Sequence, residues 1–254
     1  MIEPADALPL SSPVSARPCA LILGASAGIG AACAQRFLAE GWDVLAAARR
    51  GGLLQALGDR ARAAAGQYLA VAADAQAPEG VRAIAAAARR WRPELHAAVL
   101  CAGDFFVRPM ERTSSADFER LWRLMVWAKF YLVRELLPLL AAGARSLPAA
   151  VVHLGSLAGH QDFPDETAYM SAMYGVMGLA RAQDVELRPR GIRVSVVSPG
   201  LVRTELTERS FTPAVLAGAL PAGAIAESVY GLVRTIRAGG YIPEIFHVPG
   251  DSRS

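Results

Sequence analysis

Three glycines, Gly24, Gly28 and Gly30, stand between a five-residue apolar run, Cys19-Ala20-Leu21-Ile22-Leu23, and an alanine-rich stretch that reads as a helix to about residue 40. A run that short, apolar throughout and stopped by glycine, predicts a strand buried on both faces of a parallel sheet. A second run, Asp43-Val44-Leu45-Ala46-Ala47, follows the helix. Strand, glycine turn, helix and strand make a βαβ unit, which points to a parallel α/β architecture. The turn itself, Gly24-Ala25-Ser26-Ala27-Gly28-Ile29-Gly30, suits a phosphate. Glycines let the backbone approach a pyrophosphate, and the free N–H groups at the helix start supply donors and partial positive charge. A strand-to-helix turn without a ligand is the plainer alternative.

The alternation continues. Further strands are predicted at 68–72, 97–100, 149–154, 193–197 and 244–248, with helices at 53–65, 81–91, 116–142, 167–187 and 225–237. Pro138 is expected to kink or end the long helix. That gives a single Rossmann-type domain, a doubly wound parallel sheet of about seven strands with helices on both faces. Residues 1–17 read as a loose tail, 18–250 as the domain, and the irregular stretch 201–223 as a mobile lid.

With 53% hydrophobic and 19% charged residues, the chain can fill a core of this size. A net charge of +3 and no dense basic run argue against a nucleic-acid partner. No signal peptide and no apolar run of membrane-spanning length is seen, so a cytoplasmic location is expected. Three cysteines and four scattered histidines show no metal spacing.

Candidate site residues gather after the predicted strands. Arg49 and Arg50 follow the second strand, where no carboxylate is available for a ribose 2′-hydroxyl. An arginine here, Arg49 in this reading, suits a 2′-phosphate, so NADP(H) is favoured over NAD(H). Asp74 follows the third strand, and the small residues of Cys101-Ala102-Gly103 follow the fourth. Ser156 follows the fifth, and Tyr169 opens a helix thirteen positions later. A serine hydroxyl can hold a carbonyl oxygen and a phenol can donate a proton to it.

In order and spacing these segments resemble the short-chain dehydrogenase/reductase family over residues 18–250. The motifs are Gly24-x-x-x-Gly28-Ile29-Gly30, Asp74, Cys101-Ala102-Gly103, Ser156 with Tyr169, and Ser198-Pro199-Gly200-Leu201-Val202-Arg203-Thr204. The resemblance implies Ser156 and Tyr169 as catalytic residues. It implies cofactor contacts from Gly24, Ser26, Gly28, Ile29, Gly30, Asp74, Ala102, Gly103, Tyr169, Pro199, Gly200, Val202 and Thr204. It also implies a homodimer or homotetramer through the helices at 116–142 and 167–187.

Leu23 stands where the family commonly has a threonine, Leu100 and Cys101 stand where it has two asparagines, and two further departures matter for the chemistry. The family's Tyr-x-x-x-Lys is here Tyr169-Met170-Ser171-Ala172-Met173, and Met125 stands where an asparagine is expected. Methionine can neither place positive charge beside a phenol nor hydrogen-bond a ribose. Lys129, the only lysine, lies one helical turn after Met125. It is a candidate replacement cation, although a surface or interface lysine with an apolar stem is the favoured expectation. His160 is a candidate for substrate contact, whereas His153 reads as a satisfied core or edge residue. Phe105, Phe106, Met110, Phe163 and the 201–223 lid are expected to shape an apolar pocket.

Three functions fit these residues. The first is NADPH-dependent reduction of a carbonyl on an apolar small molecule. The second is nucleotide binding without turnover, as a sensor or an inactive partner subunit. The third is a non-redox lyase or cyclase using Ser156 and Tyr169. Retention of Gly24, Gly28 and Gly30 counts against the third, and Met173 against the first.

Overall fold

The computed structural model describes residues 17–248. The expected tail therefore lies outside the described residues, apart from Arg17. Strands β1 (Cys19–Leu23), β2 (Asp43–Ala48), β3 (Tyr68–Ala72) and β4 (Ala97–Leu100) alternate with helices α1 (Gly28–Ala39), α2 (Gly51–Arg60) and α3 (Pro78–Trp91). Next come α4 (Ser115–Trp122), α5 (Ala128–Gly143), β5 (Ala149–Leu154), α6 (Thr167–Leu187) and β6 (Ile192–Pro199). The lid region holds β7 (Val202–Arg203), α7 (Glu205–Glu208), α8 (Pro213–Leu216) and β8 (Leu220–Pro221). Helix α9 (Ala222–Arg237) and β9 (Glu244–His247) complete the order.

Seven strands form one parallel sheet in the order β3-β2-β1-β4-β5-β6-β9, and β7 pairs with β8 separately. Helices α1, α2 and α9 bury apolar faces against one side of the sheet. Helices α3, α5 and α6 cover the other. Buried on both sides, β1, β2 and β4 expose no residue appreciably, which is why their sequences are continuous apolar runs rather than alternating ones. After β3 the chain crosses to β4 on the far side of β1. The crevice at the carboxyl ends of β1 and β4 is therefore a topological switch point, where open α/β sheets bind ligands.

The helix expected at 116–142 runs without a break from Ser115 to Gly143, but not as regular α-helix throughout. It is two α-helices joined by a π-helical turn, Arg123–Trp127, which carries Met125. Such a turn shifts the side chains that follow it around the helix and is often found at functional sites. Pro138 lies inside α5 instead of ending it. The helix α2 begins and ends earlier than the expected 53–65, and the lid contains short regular pieces.

Candidate active site

The cradle is built by close backbone approach. Gly24 has φ +86°, and a Cβ there would stand 2.6 Å from the Ala102 nitrogen. A Cβ on Gly30 would stand 2.3 Å from the Gly24 carbonyl oxygen. Any side chain at either position would force β1, α1 and the loop after β4 apart. The residue preceding α1, Ala27, has no side chain able to cap the helix, so the first N–H groups of α1 are left for another acceptor. Geometry of this kind fits a pyrophosphate.

Ser156 and Tyr169 come together as expected, with their side chains within hydrogen-bonding reach of one another. Ser156 follows β5 and precedes a short 3-10 turn, and its Oγ accepts the Ala158 N–H at 3.2 Å. Tyr169 sits in the first turn of α6, with the Phe105 ring edge-on at a centroid distance of 4.8 Å. Phe211 of the lid stacks on Phe105 at 5.6 Å. The hydroxyl pair is thus roofed by aromatic rings. Burial pushes the Tyr169 phenol up to about 12; the Ser156 hydrogen bond acts against this, and the charge of Glu166 adds to it. The carboxyl of Glu166 is itself raised to about 7 by burial.

The two departures from the motif form one feature. Met125 and Met173 are both buried, in a cluster with Leu121, Leu124, Ala172 and Val176 that packs against Tyr169 and Ala102. Where two polar side chains are expected, the floor of the site is continuous and apolar.

Lys129 corrects the expectation of a surface lysine. It is 1% exposed, and its Nζ donates to the Leu154 carbonyl at 2.8 Å. Leu154 ends β5, two residues before Ser156. Among the described residues no carboxylate pairs with this ammonium. Burial lowers Lys129 to about 8, and Cys101, at the end of β4, opposes the shift. The π-helical turn and the Cβ tilt of α5 bring the ammonium up to the strand ends that carry the site loops.

Comparison with known proteins agrees with this architecture. The family model for short chain dehydrogenase matches residues 18–214. The chain belongs to the short chain dehydrogenase family. It is 28% identical to the uncharacterized oxidoreductase YxjF of Bacillus subtilis (strain 168), over 83% of this chain and 80% of that one. It is 31% identical to cyclohexanol dehydrogenase of Acinetobacter sp. (strain SE19), over 74% of each. The structure of Pseudomonas aeruginosa RhlG in an active-site complex with NADP superposes with a TM-score of 0.83 at 26% identity, covering 95% of this chain and 99% of that one.

The remaining expected residues of this short chain dehydrogenase fall in several places. Arg49 is exposed, and its side chain makes no hydrogen bond or ion pair among the described residues. Its neighbour Arg50 reaches the cradle instead, with Nε 3.3 Å from Ser26 Oγ. Asp74 is exposed and accepts the Gln76 N–H at 3.0 Å, stabilising the turn after β3. Pro199 ends β6, Gly200 donates its N–H to the His247 carbonyl at 2.7 Å, and Val202 is buried in β7. Thr204 caps α7 through a reciprocal pairing with Thr207, and its methyl lies over Gly28.

His160 turns towards Glu244, its Nε2 2.6 Å from Oε1, beneath the edge of Phe246. Ser198 donates to the same carboxylate oxygen at 2.6 Å. His153 is buried in β5 with Nε2 2.8 Å from Gln183 Oε1, and burial lowers it to about 3, so it is a neutral core histidine. Phe106 packs against the methionine cluster, whereas Met110 is 72% exposed and Phe163 is also exposed. Among the described residues no group of three or more His, Cys, Asp or Glu side chains could hold a metal ion. No helix among them is long and apolar enough to cross a membrane.

Proposed function

We propose that this protein reduces a carbonyl group on an apolar small molecule with NADPH. The observation that carries the reading is the Ser156–Tyr169 pair under aromatic cover, with a phenol that its ordinary value near 10 already keeps protonated at neutral pH and that burial raises further. A protonated phenol is a proton donor, which reduction requires; alcohol oxidation needs the phenolate. Bound NADPH supplies the hydride. Ser156 donates a hydrogen bond to the carbonyl oxygen and orients it. Tyr169 gives its proton to that oxygen as negative charge develops there, and the phenolate regains a proton from water. Without a lysine at position 173 only the Ser156 hydrogen bond favours the ionised phenol, and burial outweighs it, so the site is biased towards reduction.

The cradle formed by Gly24, Gly28, Gly30 and the uncapped start of α1 supports a dinucleotide, with Ile29, Ala102, Gly103, Pro199, Gly200, Val202 and Thr204 lining its nicotinamide side and Asp74 near its adenine. Arg49 and Arg50, with no acid at the end of β2, support NADP(H) over NAD(H). NADP in the RhlG complex supports the same preference by similarity. The apolar cover from Phe105 and Phe211 supports an apolar substrate. Exposed Phe118, Phe130, Tyr174 and Val185 on α4, α5 and α6 support a homodimer or homotetramer. The free cysteines support a reducing, cytoplasmic setting.

The test is fluorescence titration with NADPH and NADH, followed by NADPH consumption with a panel of apolar ketones and aldehydes. Tight NADPH binding with turnover of at least one carbonyl is expected. The methionine cluster favours a second reading, nucleotide binding without turnover, and NADPH binding with no substrate consumed across the panel would select it. Binding of neither nucleotide would remove both.

A further inference from the structure

The lid is fastened across the nucleotide cradle at one charged point. Arg50 precedes α2 and extends its guanidinium over the glycine turn. Its Nη1 stands 2.6 Å from Glu205 Oε2, while its Nε stands 3.3 Å from Ser26 Oγ. Glu205 is the first residue of α7 and also pairs with Arg209 of the lid. One residue earlier, Thr204 lies over Gly28, so the lid backbone is brought down on the cradle at the same place. Arg50 and Glu205 are each nearly half exposed, so the pair is open to competition from a solute.

The chemistry of the donors is informative. A guanidinium just after β2 and a serine hydroxyl in the glycine turn after β1 are a natural grip for a phosphate on a ribose 2′-oxygen. The guanidinium already holds an anion, Glu205 of the lid, while its Nε donates to the Ser26 hydroxyl beside it. We propose that Glu205 is an internal competitor for the 2′-phosphate subsite, coupling cofactor choice to release of the lid. The inference rests on the NADP(H) reading and adds a residue and a motion to it. A 2′-phosphate carries more charge than a carboxylate and presents three acceptor oxygens, so it takes Arg50 from Glu205. NAD(H) has only a hydroxyl there and leaves the clasp closed. The lid, which carries Phe211 over the site, is therefore freed only when the phosphorylated cofactor arrives.

Glu205→Gln removes the competing charge and keeps the side chain's shape. NADPH should bind about two- to fivefold more tightly to this variant, the range an exposed ion pair spans, with NADH unchanged. Glu208→Gln is the control. It removes a charge from the same short helix at an exposed position with no ion pair among the described residues, and should leave both affinities unaltered. A second readout needs no turnover: hydrogen–deuterium exchange of residues 204–211 in the wild-type protein. Adenosine 2′,5′-bisphosphate should speed exchange there several-fold at saturation, and 5′-AMP should not.

The inference is overturned if NADPH binds the wild type in preference to NADH but Glu205→Gln leaves its affinity unchanged. It is equally overturned if Glu208→Gln reproduces the effect, or if the bound bisphosphate leaves the lid's exchange unaltered or slower. In those cases the NADP(H) reading survives. If NADPH shows no preference over NADH, both fall together.

Discussion

Lys129 is a costly residue to bury, and the cost can be measured. An unfolded lysine holds its proton to about 10.5, whereas burial brings the folded value to about 8. Between those values the unfolded chain binds more protons than the folded one, so stability rises with pH. Below about pH 8 the folded state carries the full penalty, which the gap puts at about 3 kcal/mol. Lys129→Met keeps the length of the stem and removes the charge. It also removes the hydrogen bond to the Leu154 carbonyl, costing roughly 1 kcal/mol. The net expectation at pH 7 is a variant more stable than wild type by about 2 kcal/mol, because a buried charge with no carboxylate partner among the described residues is replaced by an apolar side chain. By pH 9.5 most of the wild-type penalty has gone and the difference should shrink to near zero. Urea denaturation of both proteins at the two pH values is the assay. A variant less stable at pH 7, or a difference that does not change with pH, would refute the reasoning. A stabilised variant that has lost carbonyl reduction would show that the lysine is kept for the site.

Tyr169→Phe should keep NADPH binding and lower carbonyl reduction by about 100-fold or more, read from kcat with the best substrate of the panel. Met173→Lys would set an ammonium into the methionine cluster; thermal melts should show destabilisation of roughly 2–4 kcal/mol, partly recovered on adding NADPH. Glu166 has its carboxyl raised, so the folded state holds a proton that the unfolded chain has released between its ordinary value and about 7. Stability from this group is therefore lost as pH rises through that window. Glu166→Gln should melt at a higher temperature relative to wild type at pH 8 than at pH 5; an equal difference at both would count against it.

What could be read in advance follows the range over which each signal acts. Strands such as Cys19–Leu23 and Ala97–Leu100 were legible because burial on both faces leaves an unbroken apolar run between glycines or polar turns. Ser156 and Tyr169 were legible because their meeting depends on one strand end and one helix start, both strongly marked. Arg50 was harder to choose over Arg49: adjacent residues leave a strand on opposite sides, and which one turns towards Ser26 depends on where α2 begins. The π-helical turn at Arg123–Trp127 has no compositional mark, since it changes the hydrogen-bond register and not the residue types. Lys129 shows the deepest difficulty. Its relation to Met125 was plain from one-turn spacing, but whether that face meets solvent, a partner or the strand ends is a tertiary matter. Lysine is rarely buried unpaired, so residue type alone places it on the surface. The structure resolves the choice by pairing the ammonium with a backbone carbonyl at the end of β5, beside a site whose two expected polar residues have become methionines. Removal of polar groups at 125 and 173 makes the floor apolar and protects the phenol's proton. Lys129 places its ammonium against the Leu154 carbonyl, at the end of the strand that leads to Ser156. Read together, these three positions describe a site reorganised around proton donation, one in which Met173→Lys alone is not expected to restore the family's usual balance between reduction and oxidation.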